Sequence, residues 1–241
     1  SVCRRSNAAL PSAATARCAD MEYTWDFGSV WEYREALWVG LTNTLRIFVI
    51  CLFAGLSLGL AMGLARYSVR RWLRWPAACF IEFFRNTPVL VQIFWFYFAF
   101  PILAPFEISA LMAAALGITL NSAAFSAEIF RGGIQTIDPG QWEAGRAIGM
   151  RYREIMARII LPQAVRRMMP ALTNRGIEIF KMTTLASAIA YADVLHQARL
   201  IASVNFNPIE AYTVVAIAFF VILYPIVRAT YALERRLAKG D

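Results

Sequence analysis

Residues 138–162 read DPGQWEAGRAIGMRYREIMARIILP, and where this stretch sits decides the fold. It is polar and basic, yet the runs on either side are apolar enough to cross a bilayer, so it belongs in water just outside a membrane. Asp138 is placed to cap the free N–H groups of a first turn, Pro139 suits the first helical position, and Glu143 lies near the positive end of the dipole. Gly149 permits a bend or a close approach, and a second limb runs to Leu161 and Pro162, where the proline is expected to end or kink it. The spacing predicts two short helices set at an angle, a knob that a partner can grip.

Composition agrees with a membrane protein. Hydrophobic residues make up 59% and charged residues 17%, against soluble averages of roughly 45–50% and about 25%. The net charge of +8 does not point to nucleic acid, because the basic residues cluster beside apolar runs, where the positive-inside rule accounts for them. Cys3 and Cys18 fall near the start, Cys51 and Cys79 in or beside apolar segments, and no CxxC or metal spacing appears. A single histidine, His196, argues against metal or His-based catalysis, and the sequence holds neither GxxxxGK[ST] nor HExxH. No catalytic residue set is visible.

In chain order, residues 1–20 have the composition of a disordered leader or a mis-assigned start, and residues 21–241 form one transmembrane domain. Residues 25–38 suggest an interfacial helix. Spans are predicted at about 40–65, 76–100, 108–130, 171–191 and 210–229, with a water-exposed loop at about 134–169. In the first, Gly55, Gly59 and Gly63 recur every fourth residue and leave one face smooth for close internal packing. Arg66, Arg70, Arg71 and Arg74 then assign the following loop to the cytoplasm and the N-terminus to the outside. The second span carries Glu82, Arg85, Asn86, Thr87, Pro88 and Gln92, too polar for lipid; Glu82 and Arg85 are expected to form an internal ion pair or gate element.

Along the third span, Asn121, Ser122, Ser126 and Glu128 are helix-spaced polar groups that should face the bundle interior or a water-filled path. The stretch 171–191 is a weaker span, but the basic loop of residues 131–175 and the basic tail need an even number of crossings between them. Within it Glu178 and Lys181 are neighbours on one face and able to neutralise each other; with Thr184 and Ser187 here, and Asn121, Ser122, Ser126 and Glu128 on the third span, they are the candidates for a substrate path. The connection 192–208 then lies outside, with His196 as a surface residue. The fold class is thus an all-α integral membrane protein of five spans, N-terminus outside and C-terminus cytoplasmic.

Three stretches resemble one family. Glu143, Ala144 and Gly149, followed by Ile159, Leu161 and Pro162, match the EAA-x3-G-x9-I-x-L-P loop of the membrane subunits of bacterial binding-protein-dependent ABC importers; only Gly145 departs, replacing an alanine. The runs FFRNTPVLVQIFWFY and NSAAFSAEIFRGGI are similar to the polar-amino-acid (histidine/glutamate/arginine-type) branch, and MEYTWDFGSVW resembles the usual start of its chains. The resemblance implies a type I ABC importer permease fold with a cytoplasmic coupling helix, in the bacterial inner membrane. It implies that Asp138, Gly140, Glu143, Ala144, Gly149, Leu161 and Pro162 couple to a cytoplasmic ABC ATPase homodimer, which binds the ATP and Mg; this chain needs no cofactor. A second permease subunit, identical or homologous, and a periplasmic or extracellular amino-acid-binding protein complete the expected assembly. Two other classes stay open at this point: an intramembrane enzyme, and an energy-independent channel or structural membrane partner.

Overall fold

The computed structural model describes residues 25–103 and 107–237, and these are helical with no β-strand among them. The expected leader, residues 1–20, lies outside the described residues. A short helix α1 (Phe27–Glu32) is capped by Asp26, whose Oδ1 accepts from the amides of Gly28 at 3.0 Å and Ser29 at 3.3 Å. Helix α2 (Arg34–Tyr67) follows at once, so the chain enters its first apolar helix earlier than its charges suggest. At 34 residues it is longer than the roughly 20 that the hydrocarbon core requires.

The predicted second span is broken. Helix α3 (Arg71–Asn86) ends at Thr87, and the segment beyond Pro88 sets off at 104° to it as α4 (Val89–Phe94), a π-turn at Trp95–Ala99 and α5 (Phe100–Leu103). Pro88 cannot donate a backbone hydrogen bond, and the freed carbonyls find other donors. The Gln92 amide donates to the carbonyls of Phe84 and Thr87, both at 3.1 Å, and the Asn121 amide donates to the same Phe84 carbonyl at 2.8 Å. Two side-chain amides thus turn a proline kink into a fixed corner.

Helix α6 (Ala110–Gln135) runs through the centre, with Ser109 as N-cap. The smooth face of α2 packs on it as the glycine repeat predicts. A Cβ at Gly59 would lie 2.6 Å from the Cβ of Ser126 and 2.9 Å from the Ala123 carbonyl oxygen, and at Gly63 it would lie 2.8 Å from the Ala127 carbonyl oxygen. The helices touch backbone to backbone, which only glycine allows here.

Beyond α6 come α7 (Pro139–Ala147), a single turn α8 (Tyr152–Ile155), a π-turn at Met156–Ile160 and the long helix α9 (Leu161–Met182). The expected stop at Pro162 does not occur: the chain is helical on both sides of the proline, and the wider π-turn directly before it accommodates the ring and the hydrogen bond that proline cannot donate. Helix α9 therefore starts ten residues before the predicted fourth span, and its far end tightens into a 3-10 stretch, Thr183–Ile189. The connection after it contains a further helix, α10 (Val194–Asn205), and α11 (Pro208–Leu237) closes the described chain. His196 is half-buried on α10 rather than a loop residue. Asp193 caps α10 through the His196 amide, and its burial pushes its carboxyl up to about 6.

Among the described residues, α2, α6 and α11 are long and apolar enough to cross a membrane, and the bent pair of α3 with the segment after Pro88 passes when joined. Helix α9 does not pass on composition, for it carries Arg166, Arg167, Asn174, Arg175, Glu178 and Lys181.

Candidate functional site

The elbow after α6 is built by local rules. Asp138 Oδ1 accepts the Gly140 amide at 2.7 Å, and Pro139 takes the first helical position of α7. The far end closes as a Schellman turn: Met150 N–H donates to the Gly145 carbonyl at 3.1 Å and Gly149 N–H to the Arg146 carbonyl at 3.0 Å. Gly149 holds φ +80° there, a left-handed conformation that costs other residues roughly 1–2 kcal/mol. A turn later Glu154 accepts the Arg151 amide at 2.9 Å and starts α8.

The elbow is joined firmly to the bundle. Gly145, where the family has alanine, is buried, and a Cβ there would lie 2.8 Å from Cγ1 of Ile155. The departure is therefore more than a loosened helix: it brings α7 against α8. Trp142 stacks on Tyr152 with ring centroids 5.4 Å apart. Below them Ile134 and Ile137 from the end of α6 pack with Ile155, Ile160, Ala164 and Met168 into one apolar cluster, and Arg167 donates to the Thr136 carbonyl. Helices α7, α6 and α9 thus share one packed cluster, while Asp138, Gly140, Glu143, Ala144, Leu161 and Pro162 are exposed on the outer face.

The second feature lies midway along α6. Arg175, which charge counting assigns to the basic loop, is instead 3% exposed. Its guanidinium donates to Asn121 Oδ1 at 3.1 Å, Ser122 Oγ at 3.3 Å and Glu178 Oε2 at 2.8 Å, and it lies 4.6 Å from the Phe125 ring centroid. Arg85 approaches the same ring at 5.3 Å. Two expected ion pairs are thereby corrected. Glu178 pairs with Arg175 and not with Lys181, because i,i+3 spacing is open in both directions and Arg175 is the one held in place by α6. Glu82 pairs with Arg66 at 3.0 Å and not with Arg85, since α3 presents that carboxylate to the end of α2. Ser126 and Ser187 are buried, Thr184 is half-buried, and Lys181 is exposed with no side-chain partner among the described residues.

Glu128 joins a chain of ion pairs. It lies 3.1 Å from Arg66 and 2.6 Å from Arg131, so Glu82, Arg66, Glu128 and Arg131 tie α3, α2 and α6 together just before the elbow. Beside this chain opens a cavity of about 840 Å³ lined by Arg66, Arg74, Trp75, Glu82, Arg131 and Gln135 among others, within the usual range of small-molecule sites, about 300–1,000 Å³. Among the described residues no three His, Cys, Asp or Glu side chains group as a metal site requires. Sequence reasoning found Asn121, Ser122 and Glu178 but missed the arginine that joins them. Its only signal was a charge three residues before Glu178, which looks the same in a loop.

A helical membrane bundle, a glycine-packed central pair, a broken second helix and a soluble elbow fixed to two of the helices together define a transporter permease of the type I ABC importer fold. The chain belongs to the binding-protein-dependent transport system inner membrane component family, whose match covers residues 55–239. It is 40% identical to the probable amino-acid ABC transporter permease protein YckA of Bacillus subtilis over 76% of this chain and 80% of that one. It is 34% identical to the arginine transport system permease protein ArtQ of the same species over 84% of this chain and 92% of that one. The crystal structure of an amino acid ABC transporter with histidines superposes with TM-score 0.84 at 34% identity, covering 89% of this chain and all of that one.

Proposed function

We propose that this chain is the permease subunit of an ATP-driven importer that carries polar amino acids across the bacterial inner membrane. One observation carries the mechanism: the inner face of α7, through Trp142, packs into the same cluster as the ends of α6 and α9, while Glu143 is exposed on the outer face. A push on Glu143 therefore reaches both helices that hold the Arg175 cluster. ATP and Mg bind in separate cytoplasmic ATPase subunits, which close on α7. Glu143 is the docking contact, Asp138 and Gly149 hold the two ends of the docking helix, and Pro162 marks the exit of the lever into α9. The chain crosses five times, N-terminus outside and C-terminus cytoplasmic, with α3 and its bent continuation as the second crossing and α9 with its 3-10 end as the fourth.

Helix α9 cannot face lipid along its polar stripe, because Asn174, Glu178 and Lys181 are exposed in the single subunit. That stripe faces a second permease subunit and the path between the two, to which an external binding protein delivers cargo. Asn121, Ser122, Ser126, Thr184 and Ser187 support the wall of the path from behind.

The test is copurification followed by reconstitution. An ATPase partner should copurify with the wild-type chain under mild detergent and be lost on Glu143→Arg. Liposomes holding the whole complex should take up amino acids only with ATP on the ATPase side. A chain that passes substrate with no ATPase present refutes the proposal, as does labelling of a cysteine at position 142 from the exterior of intact cells by an impermeant thiol reagent.

A further inference from the structure

The charges along the proposed path are unequal in a way that bears on cargo. Near the middle of the bundle the wall offers one accessible carboxylate, Glu178, whose side chain is 58% exposed. The buried Arg175 holds it from behind and cannot itself reach cargo. Against it stand two exposed cations, Arg85 and Lys181, neither in a direct ion pair among the described residues, although the Glu82 carboxylate that Arg66 holds lies near enough to feel the Arg85 charge. Arg85 is tied to the same place by the Phe125 ring that also carries Arg175. Lys181 lies one helical turn beyond Glu178 on the same face of α9.

The positive-inside rule explains Arg70, Arg71 and Arg74, which precede or open α3, but it does not reach these two. Arg85 lies at the far end of α3, beside the corner at Pro88. Lys181 lies beyond Arg175, which itself meets Asn121 eleven residues into α6. Unpaired cations at this depth are costly unless something anionic meets them. In the cavity toward the elbow Arg66 and Arg131 are paired with Glu82 and Glu128, so that Arg74 is the lining cation outside the ion-pair chain.

We propose that the cargo is an amino acid bearing a second acidic group, with net charge −1. Its ammonium is received by the Glu178 carboxylate, and its two carboxylates by Lys181 and Arg85. The charge set of the wall is the complement of that molecule and not of a basic or neutral amino acid. A basic cargo would bring an extra cation to a surface that already has one in excess, and a neutral one would leave one of the two cations without a partner. This rests on the permease reading above and specifies its substrate class.

The test uses the purified permease–ATPase complex without binding protein, so that the latter's selectivity does not enter, and measures direct binding of radiolabelled L-glutamate, L-aspartate, L-glutamine and L-arginine. Glutamate or aspartate should bind at least tenfold more tightly than glutamine, with arginine weakest. Lys181→Gln and Arg85→Gln should each weaken glutamate binding about tenfold and keep the ATPase copurifying; the one that removes the cation facing the side-chain carboxylate should leave glutamine within twofold, while the one facing the α-carboxylate weakens both, and Lys181→Arg should restore glutamate. Arginine or glutamine bound as well as glutamate overturns the proposal. So does an equal loss for glutamate and glutamine in both variants, or dissociation of the permease pair by them, which would assign the cations to the partner subunit. If ATP-driven uptake of other amino acids persists in liposomes while none of the four probes binds, the site at this wall is overturned and the importer reading stands. If no amino acid is taken up with ATP under any condition, it is the importer reading that fails.

Discussion

Replacing Gly59 by alanine tests the packing on which the whole bundle depends. The added Cβ would lie 2.6 Å from the Ser126 Cβ, 2.9 Å from the Ala123 carbonyl oxygen and 3.3 Å from the Ala127 nitrogen. None of these atoms is the tip of a flexible side chain, so the only relief is for α2 and α6 to part by about 1 Å to regain ordinary contact distance. Overpacking of this kind costs about 1–3 kcal/mol. Alanine also gains at most about 1 kcal/mol of helix propensity over glycine, which blurs the measurement on its own. Gly132 supplies the control: it lies in the partner helix α6, but a Cβ there meets nothing within 4 Å, so Gly132→Ala collects the propensity gain without the clash. The difference between the two variants is then the steric cost, about 1–3 kcal/mol. It can be read from unfolding of the purified complex by SDS titration in mixed micelles, followed by tryptophan fluorescence. Equal midpoints for G59A and G132A would refute backbone contact between α2 and α6.

Three further outcomes are expected. Gly149→Ala forces a left-handed φ on a residue with a Cβ, at about 1–2 kcal/mol, and should lower ATP-driven uptake more than Gly149→Asn, which tolerates that conformation; equal uptake by both would remove the Schellman turn from the mechanism. Glu128→Gln should destabilise by about 1–3 kcal/mol, between the values for exposed and buried pairs. Adding Arg66→Gln should recover part of that loss in a double-mutant cycle, and strict additivity would mean that Arg66 and Glu128 do not act as a pair. For Asp193 the sign follows from a carboxyl raised by burial to about 6 from the usual 3.8. Between those values the native chain holds more protons than the unfolded one, so stability falls as pH rises through that window. Asp193→Asn keeps an acceptor for the His196 amide, and should unfold alike at pH 5 and 7.5 where the wild type loses stability. Equal pH dependence in both proteins would assign the effect elsewhere.

What the sequence determined by itself was whatever depends on neighbours along the chain. Asp138 and Pro139 start α7, Gly149 closes it, and the Gly55, Gly59 and Gly63 repeat makes a smooth helix face; each follows from short-range geometry that a string of residues carries. The elbow, the central packing face and the membrane class were legible for that reason. What only the tertiary structure decided was every choice between equivalent partners. Glu178 has a cation three residues before it and another three after it, and nothing local prefers Arg175. The preference comes from Asn121 and Ser122, more than fifty positions away in sequence, which hold that guanidinium in a site from which water is excluded. The same holds at Pro88: proline announces a break, but whether the helix bends slightly or turns a full corner depends on Gln92 and Asn121 supplying donors to the carbonyls it frees. Long-range hydrogen bonds in a medium without water carry much of the energy that separates such alternatives, and their partners meet only when the helices do.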